Sequence, residues 1–145
     1  MTFVKKISLA LLFLSFNFVF AQTKPIESLI QNINNQDAYI VMTRTMSPRI
    51  SSASAKEIVK IGKPATPDLI QVLDSQSKGI AAHFILSEIW KETWEETLCC
   101  LIHDEGNAEI VNINGLEIRI ENEVLSASDE ALKNNKERWK KRTHA

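Results

Sequence analysis

The stretch Ile110-Val111-Asn112-Ile113-Asn114-Gly115-Leu116-Glu117-Ile118-Arg119-Ile120 gives this chain a β-hairpin after a first half that is mainly helical by period. An Asn-Gly pair accepts the positive φ angles that both central positions of a two-residue type I′ turn require, so it joins residues 110–113 and 116–120 as a hairpin. Leu116, Ile118 and Ile120 alternate with Glu117, Arg119 and Glu121, which gives one face to a core and the other to water. Upstream, Thr97 to His103 reads as a third strand, turned into the hairpin by Gly106-Asn107. A helix is the competing reading of 97–103, so β structure is expected over about 97–121. Downstream, Ser128 or Ser126 is placed to cap a helix over about 128–142, with Leu132 and Trp139 on one face.

The segment from about 24 to 91 is mainly helical by period. Pro25 suits a first helical turn, and Ile26, Leu29, Ile30 and Ile33 form a single stripe that Asn34 and Asn35 are expected to end. Residues 38–46 are apolar and β-branched without a clean period, so helix and strand both stay open there, and Ser47-Pro48 is expected to break the element. Ser54 and Glu57 have the spacing of a capping box. Ala55, Ile58, Val59 and Ile61 give that helix its buried side, and Gly62 its stop. Thr66-Pro67-Asp68 reads as a second start, with the threonine as cap. A third helix is expected from about Ile80 to Lys91, burying Ala81, Ala82, Ile85, Leu86 and Ile89.

The run Ile61-Gly62-Lys63-Pro64-Ala65-Thr66-Pro67-Asp68-Leu69-Ile70-Gln71-Val72-Leu73-Asp74, followed by Ala81-Ala82 and Ile85-Leu86, resembles a HEAT repeat of the short, phycobilisome-lyase kind. The resemblance covers about residues 51–91 and implies a helical hairpin of the sort used in protein-binding scaffolds. No second copy follows. A solenoid needs about three stacked units, so something else must cover the hairpin. The expected architecture is therefore α+β: a HEAT-like helical hairpin packed on a small antiparallel sheet, with a C-terminal helix.

Residues 1–21 carry Lys5 and Lys6, an apolar run from Ile7 to Phe20, and Ala21 before Gln22. This is the pattern of a cleavable signal peptide, and the run is shorter than the roughly 20 residues of a membrane span. The expected product is a single small domain over 22–145 in the periplasm or outside the cell, with no later membrane span. Without the two leader lysines, 15 basic residues face 18 acidic ones, a balance too mild to argue for nucleic acid. Glu88 to Glu130 holds twelve acids and two bases, whereas residues 131–145 hold six bases and one acid; the basic helix is expected to lie against the acidic segment. Adjacent Cys99 and Cys100 lack the geometry for a mutual disulfide and read as buried thiols.

Three side-chain groupings could carry chemistry. Cys99 and His103, with Asp104 and Glu105 beside them, would share a helix face and could bind zinc or pair a nucleophile with a base. On a strand they would lie about 13 Å apart, too far for either task. Trp90 and Trp94 are four apart and could form a sugar-stacking platform or a protein-binding hot spot, or else close the seam between hairpin and sheet. His83 reads as a satisfied structural histidine. No phosphate loop, nucleophile elbow, zinc-protease pair or calcium loop occurs. No cofactor, catalytic residue or metal ligand is assigned. The leading expectation is a non-enzymatic binding protein with an unidentified protein partner, with Trp90 and Trp94 as the candidate contacts. The alternatives are a small metal- or cysteine-dependent enzyme and a sugar-binding module.

Overall fold

The computed structural model describes residues 25–42, 46–91 and 101–143. Among these, the order is α1 (Ile26–Gln31), β1 (Ala38–Met42), β2 (Met46–Ile50), α2 (Ala53–Ile61), α3 (Thr66–Gln71), α4 (Gly79–Ile89), β3 (Leu101–Glu105), β4 (Ala108–Ile113), β5 (Leu116–Glu121), β6 (Val124–Ser126) and α5 (Asp129–Thr143). The fold is α+β. β1 and β2 form a two-stranded antiparallel sheet, and β3-β4-β5-β6 form an antiparallel meander in chain order. No helix among the described residues is long and apolar enough to cross a membrane.

Helix α4 organises the molecule because it is apolar around its whole circumference, the pattern of a helix enclosed on all sides. Every residue from Gly79 to Ser87 is buried. Ala81, Ala82, Ile85 and Leu86 pack with Leu29, Ile58, Leu69 and Leu73 in a helical core. On its opposite side, Ile80 and Phe84 meet Val111, Ile113, Leu116, Ile118 and Leu132 in a second core under the meander. α5 bridges the two, with Trp139 in the first core and Leu132 in the second. The helical layer thus rests on the sheet through the two faces of one helix.

The Asn-Gly turn is as expected: Asn114 and Gly115 have φ of 48° and 86°, and Ile113 pairs with Leu116 across it. A second tight turn, at Asn122 and Glu123 with φ of 50° and 65°, adds β6, which the sequence reading lacked. Residues 101–105 are strand, resolving that part of the helix-or-strand question. Residues 97–100 lie outside the described residues. Ser128 caps α5, its Oγ accepting from the Ala131 amide at 3.1 Å.

Several local expectations are corrected. Pro48, expected to break the element, sits inside β2 opposite Ile40, while residues 38–42, which the sequence left open, form a strand. In a two-stranded sheet each strand has a free edge, where proline's missing N–H costs no ladder bond. The cap of α2 is Ser52, whose Oγ accepts from the Ala55 amide at 3.2 Å, not Ser54. Thr66 lies inside α3 and makes no capping bond. α1 stops at Gln31, and Asn34 instead caps a 3-10 turn over Asn35–Asp37.

Polar side chains remote in sequence close the helix ends. Asn35 Oδ1 accepts from the amides of Ile80 and Ala81 at 3.0 and 3.1 Å, while its Nδ2 donates to the Gln76 carbonyl at 2.7 Å. In return, Lys78 Nζ donates to the carbonyls of Ile30, Gln31 and Ile33 at 3.2, 2.6 and 2.9 Å, placing positive charge at the C-terminal end of α1. The two helix ends therefore satisfy one another's orphan backbone groups.

Candidate functional site

Trp90 follows the last residue of α4, its backbone amide donating to the Leu86 carbonyl at 3.0 Å. Its indole Nε1 donates to Thr66 Oγ1 at 3.0 Å, so the hydroxyl assigned by sequence to a helix cap instead fixes the ring of Trp90. Lys63 Nζ stands 4.7 Å from the ring centroid, within cation-π range. The ring is half-buried and packs against the helical core instead of filling the seam with the sheet. Trp94 lies outside the described residues.

Around Trp90 opens a groove of about 460 Å³ between α3 and the last turns of α5. Pro67, Ile70 and the indole supply its apolar surface, and Lys63 and Lys140 stand on its walls. Among the described residues, no carboxylate lines it. Lys140 pairs with Glu137 at 2.7 Å, and that hydrogen bond holds the exposed Glu137 carboxyl below the usual range. A smaller cavity of about 190 Å³ lies beside β2 and α2, with Arg49, Lys56 and Glu88 around Phe84.

The basic helix lies against part of the acidic segment, as expected, through β5. α5 packs on α3 and β5, and Lys136 Nζ reaches Asp74 Oδ1 at 2.9 Å and the Gln71 carbonyl at 2.8 Å. Asp74 lies outside 88–130, and its hydrogen bond with Lys136 lowers its pKa. Lys140, as noted, turns to its own helix. Lys140 and Thr143 line the groove, so its wall depends on how firmly that helix is held.

One grip on α5 is buried. Trp139 Nε1 donates to His83 Nδ1 at 3.0 Å, and His83 Nε2 lies 2.8 Å from the Ile113 carbonyl. Indole N–H can only donate, so Nδ1 must be the unprotonated nitrogen and Nε2–H donates to Ile113. His83 has no exposed surface. Burial pushes its pKa down to about 4, with the hydrogen bond to Ile113 acting the other way and the Arg138 charge adding to the fall.

The candidate enzyme constellation does not gain a common helical face. His103, Asp104 and Glu105 belong to β3, paired with Ile110, Glu109 and Ala108 of β4. Residues 101–103 are therefore strand and not helix. Cys99 and Cys100 lie outside the described residues. Among the described residues, no group of three or more His, Cys, Asp or Glu side chains gathers where it could hold a metal.

Comparison with known proteins finds no matching family model, no matching curated protein and no matching solved structure.

Proposed function

We propose that this chain is an exported, non-enzymatic binding protein of the periplasm or extracellular space, and that its Trp90 groove takes an acidic segment of a partner protein carrying an apolar side chain. One observation carries the reading: the groove combines an apolar floor with lysines on its walls and, among the described residues, no acid in its lining. An apolar side chain on the floor would supply burial, and carboxylates beside Lys63 and Lys140 would supply charge complementarity. The sequence resemblance of residues 51–91 to a HEAT repeat supports a scaffold role by analogy alone. The export reading further expects a mature chain beginning near Gln22, which N-terminal sequencing of the native protein checks.

The test is affinity capture from the envelope extract of the native host, with the wild type and a Lys63→Glu/Lys140→Glu variant side by side. A protein partner held by the wild type, lost by the variant and weakened near 1 M salt, where the screening length falls to about 3 Å, supports the reading. Equal capture by both proteins moves binding away from the groove. Capture of no protein, together with a carbohydrate that quenches tryptophan fluorescence, favours the sugar-binding alternative. Rapid thiol labelling of the folded chain, or stoichiometric zinc lost on replacing Cys99 or His103, favours the enzyme.

A further inference from the structure

His83 is the point at which three elements meet: it belongs to α4, accepts from Trp139 of α5 at 3.0 Å and donates to the Ile113 carbonyl of β4 at 2.8 Å. The imidazole is neutral in this arrangement, and both of its nitrogens are occupied by partners of fixed polarity. Adding a solvent proton to Nδ1 would set two N–H groups against each other, because the indole has no lone pair to offer. Ile113 could still accept from Nε2–H. The contact broken by protonation is thus the one to α5, and the contact to the sheet survives it.

Among the described residues, no opposite charge bears on the ring. The charge that bears on the ring is Arg138, also from α5, and it is positive. Its guanidinium lies beside Gly115 at the β4–β5 turn and donates to Asn135 Oδ1 at 2.9 Å. From α4 itself the neighbouring ring is Phe84, with centroids 6.2 Å apart, and from the sheet the facing group is a neutral carbonyl. The ring of Trp139 stands edge-on to the imidazole with centroids 6.0 Å apart. The next residue of α5, Lys140, and Thr143 one turn beyond Trp139 line the groove beside Trp90.

We propose that the Trp139–His83 contact is an acid-sensitive latch: protonation of His83 undocks the C-terminal part of α5 while the rest of the domain stays folded, and so opens one wall of the Trp90 groove. The undocking stands on the buried contact alone. Its consequence for a bound partner rests on the groove reading given above.

The size of the effect follows from linkage. A ring that titrates near 6.5 when undocked and near 4 when docked favours the undocked state about 30-fold more at pH 5 than at pH 8, tending to about 300-fold below pH 4. The experiment is indole hydrogen exchange by NMR on the ¹⁵N-labelled protein, with the Trp139 Nε1–H expressed as a protection factor at each pH. Its protection is expected to fall about 30-fold from pH 8 to pH 5, with little dependence on low urea concentrations, as for a local opening. A His83→Gln variant, which retains an acceptor and a donor but does not titrate, is expected to show no such fall. Constant protection in the wild type overturns the latch. So does a fall that rises steeply with urea and tracks global unfolding, or an equal fall in the glutamine variant. If that variant does not fold, the pH and urea series on the wild type decide alone. No ligand enters these measurements, so failure of the groove reading would leave them unchanged, and failure of the latch would leave partner capture unchanged.

Discussion

Replacing Gly79 with alanine sets two known effects against each other. In a helix, alanine is favoured over glycine by about 1 kcal/mol, because glycine loses more backbone freedom on folding. Gly79 opens α4, and its φ is not in the left-handed region, so helix propensity alone forecasts a more stable protein. Packing opposes this. A Cβ built on Gly79 would stand 2.9 Å from Leu132 Cδ2 and 3.2 Å from the Leu73 carbonyl carbon, with the Leu73 oxygen closer still. Carbon atoms at rest lie about 3.5–4.0 Å apart. Leu132 can rotate away, whereas the Leu73 carbonyl is backbone in the connection from α3. Relief therefore requires the start of α4 to move by several tenths of an ångström or more. That movement would stretch the Asn35 bonds to Ile80 and Ala81 and the 2.7 Å bond from Gly79 N to the Ser75 carbonyl. Overpacking of this kind costs about 1–3 kcal/mol, and loss of a helix cap about 1 more. After the propensity gain, a net loss of about 2 kcal/mol is expected. Urea unfolding reads it as a midpoint lowered by about 1–2 M with the slope unchanged. A variant as stable as the wild type, or more so, would refute the packing argument.

Other perturbations bear on the remaining contacts. Asn35→Ala removes three hydrogen bonds and leaves the Ile80 and Ala81 amides unpaired, so thermal unfolding should report a loss of about 2–3 kcal/mol. Gly115→Val places a β-branched side chain at φ 86° against the Arg138 guanidinium; a loss exceeding about 1 kcal/mol is expected, and an unchanged melting temperature would contradict it. For His83 the sign is that of a base whose folded pKa is depressed. Stability is full above about pH 6.5 and falls as the pH drops towards 4, because the unfolded ring takes up the proton first. The loss is about 2 kcal/mol by pH 5 and about 3 at most, and urea midpoints for wild type and His83→Gln should diverge across that window. Lys136→Ala breaks an ion pair whose aspartate is half exposed; only about 0–1 kcal/mol is expected from it, shrinking further as the pH falls and Asp74 protonates.

By itself, the sequence determined what depends on neighbours a few residues apart. The stripe of Ile26, Leu29 and Ile30, the apolar side of α2 and the alternation of Leu116 and Ile118 all follow from the periods 3.6 and 2. Asn114-Gly115 located its turn because the positive φ it needs is a property of those two residues. Ser128 found its own α5 amide three residues away. Wherever a polar group bonded instead to a distant element, local reading misassigned it or left it open. Thr66 looked like a cap but holds Trp90, 24 residues on. Asn34 and Asn35 looked like the end of α1, yet Asn35 caps α4 from 45 residues away. Pro48 looked like a breaker because nothing local shows that β2 has a free edge. His83 read as a satisfied structural histidine, while its partners, 30 and 56 residues away, were set by how β4 and α5 pack against α4. The groove has the same origin, since Lys63, Trp90 and Lys140 become neighbours only when α5 docks on α3. Local propensity acts through backbone sterics and nearby bonds and can be read along the chain. The partner of a buried polar group is chosen by three-dimensional packing, which many sequences of the same period could satisfy differently.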